Sequence, residues 1–154
     1  MDLQSNLTTE TVEQLHPRDP LCVEPRTSVR DAFLLLRENA RGSVCICRDG
    51  VLLGIFTERD ALRLMAAGAS LDGPIEAVMT SDPVTVGPND TVATAVRKMS
   101  EGGYRRLPVV DAAGRPVGKI NVSQILHYLV EHFPKSVYNL PPTPQPALPD
   151  REGP

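Results

Sequence analysis

The stretch DPLCVEPRTSVRDAF, Asp19 to Phe33, returns at an offset of 63 as DPVTVGPNDTVATAV, Asp82 to Val96. Asp19, Pro20, Val23, Pro25, Val29 and Ala32 match Asp82, Pro83, Val86, Pro88, Val92 and Ala95. A repeat at fixed spacing determines architecture, because each copy must build the same unit. After a one-residue insertion the register continues: Gly50, Gly54 and Leu62 match Gly114, Gly118 and Leu126 at an offset of 64. The folded body is a duplication.

Each copy reads as strand, helix, strand, strand, helix. A short extended stretch ends at Pro25 or Pro88, where the proline ring stops further pairing. Val29, Ala32, Phe33 and Leu36, and again Val92, Ala95, Val96 and Met99, recur at the spacing of one helix face. Ser28, three residues before Asp31, suits the N-terminal cap of the first of these helices. Two strands joined by a tight turn follow, SVCIC and VLLGIF in the first copy, RLPVV and VGKI in the second, with Gly50 and Gly114 free to take a positive φ in the turns. A second helix closes each copy, from Glu58 to about Ala67 and from Val122 to about Phe133. The fold class is α/β in the α+β sense. The expected domains are an N-terminal extension over 1–18, repeat units over 19–75 and 76–134, and a Pro-rich flexible tail over 135–154. The extension carries a helical stretch from Thr9 to Leu15, and six prolines lie between Asn139 and Pro154.

The 154 residues carry 16 Lys plus Arg against 19 Asp plus Glu, a net charge of -3 and a pI near 5.6. Such a surface has no general attraction for nucleic acid or anionic lipid, so neither is expected as a partner. No apolar run approaches the roughly 20 residues of a membrane span, and the N-terminus is polar, so a cytoplasmic protein is expected. Cys22, Cys45 and Cys47 read as reduced thiols. Cys45 and Cys47 alternate along one strand and share a face, where core packing is expected, since two thiols lack the four ligands of structural zinc. His16, His127 and His132 stand at no metal-binding spacing. No Ser or Cys nucleophile with a base, no paired carboxylates and no P-loop are evident, so the protein is read as non-enzymatic with no required cofactor.

The chemistry is concentrated in GIFTERD, Gly54 to Asp60, where a strand runs straight into a helix. Unpaired amides and the positive dipole end at a helix start attract anions. Thr57 can donate to a phosphate or ribose oxygen, and Asp60 can accept from two ribose hydroxyls. The same Thr and Asp, three residues apart, also form a capping box that binds nothing. The second copy has GKINVSQ, Gly118 to Gln124, with Asn121 and Gln124 at the two positions. Both can cap, but neutral Gln124 loses charge-assisted acceptance from a ribose. Between Arg97 and Lys119 there are six basic and two acidic residues. Arg97 and Lys98 are expected on the solvated helix face, while Arg105 and Arg106, at a strand entrance, are the candidates for phosphate oxygens.

With GGYRRLPVVD, Gly102 to Asp111, these features give the body from Asp19 to Phe133 a resemblance to a tandem pair of CBS domains, named after cystathionine beta-synthase. The resemblance implies two β-α-β-β-α repeats packed sheet to sheet with pseudo-twofold symmetry and two clefts between them. It further implies a regulatory module binding an adenine nucleotide, AMP, ADP or ATP, and signalling to an unidentified effector protein, commonly as a homodimer. Carried over by position, the first cleft uses Ile55, Thr57 and Asp60 with Thr80, Val84, Tyr104, Arg105, Arg106 and Pro108. Ile55, Val84 and Pro108 sandwich the adenine, and Arg105, with Arg106 beside it, meets the phosphates. The second cleft uses Ile120, Asn121 and Gln124 with Val23, Ser43 and Cys45, and departs from the family pattern at Gln124. Two alternatives stand beside the nucleotide: a structural or dimerisation module without ligand, and a binder of S-adenosylmethionine.

Overall fold

The computed structural model describes residues 3–39 and 42–138. The stretch 139–154, most of the expected flexible tail, lies outside the described residues. In the first copy β1 (Cys22–Val23) leads to α2 (Val29–Glu38), the hairpin β2 (Ser43–Arg48) and β3 (Val51–Thr57), and α3 (Glu58–Ala66). In the second, α4 (Val92–Gly102) is followed by β5 (Arg106–Val110), β6 (Pro116–Asn121) and α5 (Val122–His132). A helix α1 (Leu3–Thr9) precedes the body and α6 (Pro134–Tyr138) follows it; β4 (Thr80–Ser81) lies between the copies.

The periodic apolar positions become the cores. Val29, Ala32 and Leu36 of α2 pack with Val44, Ile46 and Phe56, while Val92, Ala95 and Met99 of α4 pack with Leu107, Val109 and Ile120. Phe56 is fully enclosed, and its ring lies 6.0 Å from that of Phe33. Burial of this kind contributes about 1.5–3 kcal/mol for each large apolar side chain. Helix starts are sealed as their spacing predicts: Ser28 Oγ accepts from the Asp31 amide at 3.1 Å, and Thr91 Oγ1 accepts from the Thr94 amide at 3.1 Å. Gly50 and Gly114 sit at φ 81° and 83° in the two hairpin turns.

The two sheets exchange their edges. One sheet has the order β1-β2-β3-β4, with β1 parallel to β2 and β4 antiparallel to β3; the other pairs β5 with β6. The chain reaches β1 only after Arg18 has exchanged both backbone hydrogen bonds with Lys119 of β6, at 3.0 and 2.9 Å. It passes through β4, on the edge of the first sheet, before Val86 joins Val109 in the second. Each connecting segment therefore pairs with one copy and then enters the other. The close approach explains two matched glycines. A Cβ at Gly54 would lie 2.7 Å from the Thr80 carbonyl oxygen, and one at Gly118 would lie 2.5 Å from Pro17 Cβ.

The N-terminal segment differs from its predicted single helix. It breaks at Glu10, and Val12–Leu15 forms a 3-10 turn, because Thr11 bridges to Thr91 and the backbone turns to serve the second copy. The Val12 amide donates to Asp90 O at 2.8 Å and the Glu13 amide to Pro88 O at 2.9 Å, while the Val92 amide donates to Glu10 O at 2.8 Å. Val12 and Leu15 are buried in the second core. The Tyr128 hydroxyl donates to Glu10 Oε1 at 2.7 Å, and burial with that carboxylate pushes the phenol up to about 12. Replacing Leu15 with alanine is expected to lower stability in urea unfolding by about 2–3 kcal/mol, within the usual cost of a buried Leu-to-Ala cavity. A loss below about 0.5 kcal/mol, typical of surface sites, would show that the segment is not core.

Candidate functional site

Thr57 ends β3 and caps α3, with extended backbone at φ -111° and ψ 168°. This junction forms because a hydroxyl in extended conformation can bond an amide one turn ahead. Thr57 Oγ1 accepts from the Asp60 amide at 3.2 Å, and Asp60 Oδ2 accepts from the Thr57 amide at 2.9 Å. The Thr57 hydroxyl also points to Asp60 Oδ2, at 3.1 Å. The capping box is thus fully made, and one carboxylate oxygen is committed to it. Asp60 Oδ1 takes part in none of these bonds, and both side chains are half-buried. The cap and the sugar-binding readings use different oxygens of the same carboxylate.

The second copy repeats the device: Gln124 Oε1 accepts from the Asn121 amide at 3.0 Å, and Asn121 Oδ1 accepts from the Gln124 amide at 2.8 Å. The remaining Gln124 amide group donates to His16 O at 3.4 Å. That side chain is bonded through both of its ends.

The first residues of the helices are held alike. The Glu58 amide donates to Gly42 O, and the Val122 amide to Arg105 O, each at 3.1 Å. Gly42 and Arg105 occupy matching places in the repeat, just before β2 and β5. Arg106 Nη1 crosses from the second copy and donates to the same Gly42 oxygen at 3.1 Å. Its guanidinium fills the space that a Cβ at position 42 would need. A cation from one copy and the positive end of α3 from the other therefore meet at a single carbonyl.

The other expected site residues fall as follows. Ile55 is half-buried in β3 and pairs with Thr80 of β4 on one side and Cys45 of β2 on the other. Thr80 and Val84 are exposed, and Pro108 is buried in β5 opposite Lys119. Arg105 is exposed. Tyr104 is also exposed, and its ring folds back over Gly102, at the end of α4. The structure brings Thr57 to Asp60, Ile55 to Thr80, and Arg106 to the start of α3. Gly42 was missed in the sequence, although a glycine just before a strand was a signal of close approach. Lys98, expected in solvent, is half-buried and donates to Thr85 O at 2.7 Å. A surface depression of about 550 Å³, lined by Thr85, Asp90, Lys98 and Asp111 among others, has none of the expected site residues in its lining. Among the described residues no group of three or more His, Cys, Asp or Glu could hold a metal ion, and no helix is long and apolar enough to cross a membrane.

The sequence profile of the CBS domain matches this chain twice, over residues 12–67 and 75–131. The chain belongs to the CBS domain family. It is 34% identical over 90 residues to the CBS domain-containing protein YhcV of Bacillus subtilis, a match spanning 58% of this chain and 64% of YhcV. Among solved structures, a CBS domain protein from Pyrobaculum aerophilum complexed with AMP superposes with a TM-score of 0.71 at 27% identity, covering 79% of this chain and 98% of that one. The CBS domain pair of protein MJ0100, in complex with 5'-methylthioadenosine and S-adenosyl-L-methionine, superposes with a TM-score of 0.70 at 25% identity, covering 77% and 98%. The α+β architecture is that of a tandem CBS pair, a class of generally regulatory modules.

The capping box makes its own prediction for the ligand-free CBS pair. Asp60→Ala should cost about 0.5–2 kcal/mol, the usual range for a lost cap. Equilibrium urea unfolding reads it, and an unchanged midpoint would show that the box contributes nothing.

Proposed function

We propose that this CBS pair is a non-catalytic regulatory module that takes an adenine nucleotide in the cleft headed by Thr57 and Asp60. The observation carrying the reading is the Arg106 bond to Gly42 O, which sets a guanidinium beside the start of α3. A phosphate there meets a cation and the positive end of the α3 dipole together. Asp60 Oδ1 then accepts from ribose hydroxyls while Oδ2 keeps its cap bonds. Ile55, Val84 and Pro108 form the apolar walls for adenine, Thr80 lies beside Ile55, and Arg105 with Tyr104 lines the outer mouth. Support also comes from the AMP complex of the Pyrobaculum relative. The MJ0100 complex raises S-adenosylmethionine as a rival, but that ligand carries no phosphate and its sulfonium and ammonium outweigh its one carboxylate, a poorer match to Arg106 than an anionic nucleotide. The second cleft is expected to bind nucleotide poorly, because Gln124 is neutral and already bonded to His16.

Because the pocket draws on both copies, occupancy favours arrangements in which they are correctly spaced, and that population shift is the signal. Its output passes to a partner protein through a homodimer. Val122, Leu126 and Val130 of α5 are exposed at four-residue spacing, and Leu62 and Met65 of α3 add to the exposed apolar surface. Such stripes suit two-fold self-association. Leu126→Asp should convert a dimer to monomer in sedimentation equilibrium; a variant sedimenting like wild type would move the interface elsewhere.

The ligand is tested by thermal and urea unfolding with AMP, ADP, ATP and S-adenosylmethionine. At about 100 times the dissociation constant a nucleotide should add about 2.7 kcal/mol to wild type. Asp60→Ala and Arg106→Ala should lose most of that gain. A response to S-adenosylmethionine alone would replace the nucleotide, and no response to any of the four would leave a structural module.

A further inference from the structure

Three thiols meet on the face of β2 that points away from the helices. Cys22 of β1 is in direct register with Cys45 of β2, so their side chains leave the sheet on one side, and Cys47 follows two residues on. Val44 and Ile46, on the opposite face, belong to the helix-packed core, whereas Cys45 and Cys47 do not. Both are buried, as the sequence reading expects, but outside the helix-packed cluster, with Lys119 of β6 near Cys45. Cys22 is exposed. All three are free.

We propose that Cys22 is a peroxide-reactive thiol and Cys45 its resolving partner, forming an intrachain disulfide that ties β1 to β2. Exposure and acidity fall on the same sulfur. Hydrogen bonds from the Cys45 and Cys47 thiols draw the Cys22 thiol down to about 6, against a smaller opposing effect of burial. Cys45 goes the other way, well above the ordinary thiol range, because of its interaction with Cys22 and its burial; Cys47 is pushed up to about 12, chiefly by burial. The nearby charges are Lys119, which favours thiolate at Cys45, and Glu24, which opposes it at Cys47. Thiolate is the nucleophilic form, so the reactive sulfur is the one that solvent reaches.

The chemistry balances with hydrogen peroxide as the oxidant. The Cys22 thiolate attacks one peroxide oxygen; the S–O bond forms, the O–O bond breaks, and hydroxide leaves to be protonated to water. Cys22 is now a sulfenic acid, and peroxide has accepted two electrons. The Cys45 sulfur then attacks the Cys22 sulfur, the S–O bond breaks, and the departing oxygen leaves as water with the Cys45 proton. Geometry selects Cys45 over Cys47. Directly paired strand positions lie about 4.8 Å apart, inside the roughly 4.4–6.8 Å that a disulfide spans. The diagonal to Cys47 is roughly 8 Å on the same strand dimensions.

The reduced full chain treated with hydrogen peroxide tests this by intact mass and peptide mapping. The expected result is loss of two hydrogens, with the Cys22 peptide joined to the Cys45 peptide. Cys22→Ser should abolish the loss and Cys47→Ser should leave it. Cys45→Ala should stop at a Cys22 sulfenic acid that dimedone traps. Iodoacetamide labelling of Cys22 in wild type should reach half its maximal rate near pH 6, a readout that needs no buried substitution. A Cys22–Cys47 link, a disulfide between two chains, or Cys22 reacting no faster than free cysteine at neutral pH would each overturn the proposal.

Discussion

Everything in this CBS pair depends on two backbone crossings. Arg18 pairs with Lys119 before its chain enters the first sheet, and Thr80 pairs with Ile55 before its chain enters the second. Neither sheet is complete without a strand segment that belongs to the path of the other copy. The crossings also account for Gly54 and Gly118, where a side chain would collide with the incoming segment. Because buried backbone groups must be paired, the two halves cannot separate without leaving donors and acceptors unmet.

The same economy governs the ends of the second helices. A strand that runs into a helix without a loop must seal the helix start with its last side chain, and Thr57 and Asn121 do so with the residue three positions on. In the second copy the sealing amide is engaged at both ends. In the first it is a carboxylate with an oxygen outside the cap, next to a carbonyl that already attracts Arg106. The two copies have equivalent helix starts, and Thr57 with Asp60 against Asn121 with Gln124 makes them chemically unequal. On the proposed reading, asymmetry of this kind suits one cleft to a charged ligand and leaves the other structural.

The helix faces and caps were legible because they are periodic: Val29, Ala32 and Leu36, or Ser28 before Asp31, declare themselves in one chain. The crossings were not, since β1 and β4 are two residues long and show no alternation to read. Nor could sequence separate Arg105 from Arg106, because neighbours on a strand face opposite ways and only the register of β5 on β6 decides which one crosses. Tyr104 came from the family resemblance by position alone, and no sequence signal showed that its ring lies over Gly102 at the end of α4. The N-terminal segment looked like an appendage, yet Val12 and Leu15 complete the second core. Cys22 and Cys45 are 23 positions apart, and only the parallel pairing of their strands brings them together.

The central claim is that one cleft, built by both copies at the start of α3, receives the ligand. Amide chemical-shift mapping during an AMP titration tests it most directly. The account predicts saturable shifts at Glu58, Arg59 and Asp60, at Thr80, and at Arg106 across the copy boundary, with little change at Asn121 to Gln124. Shifts confined to a single copy, centred on Asn121, or absent throughout would contradict it.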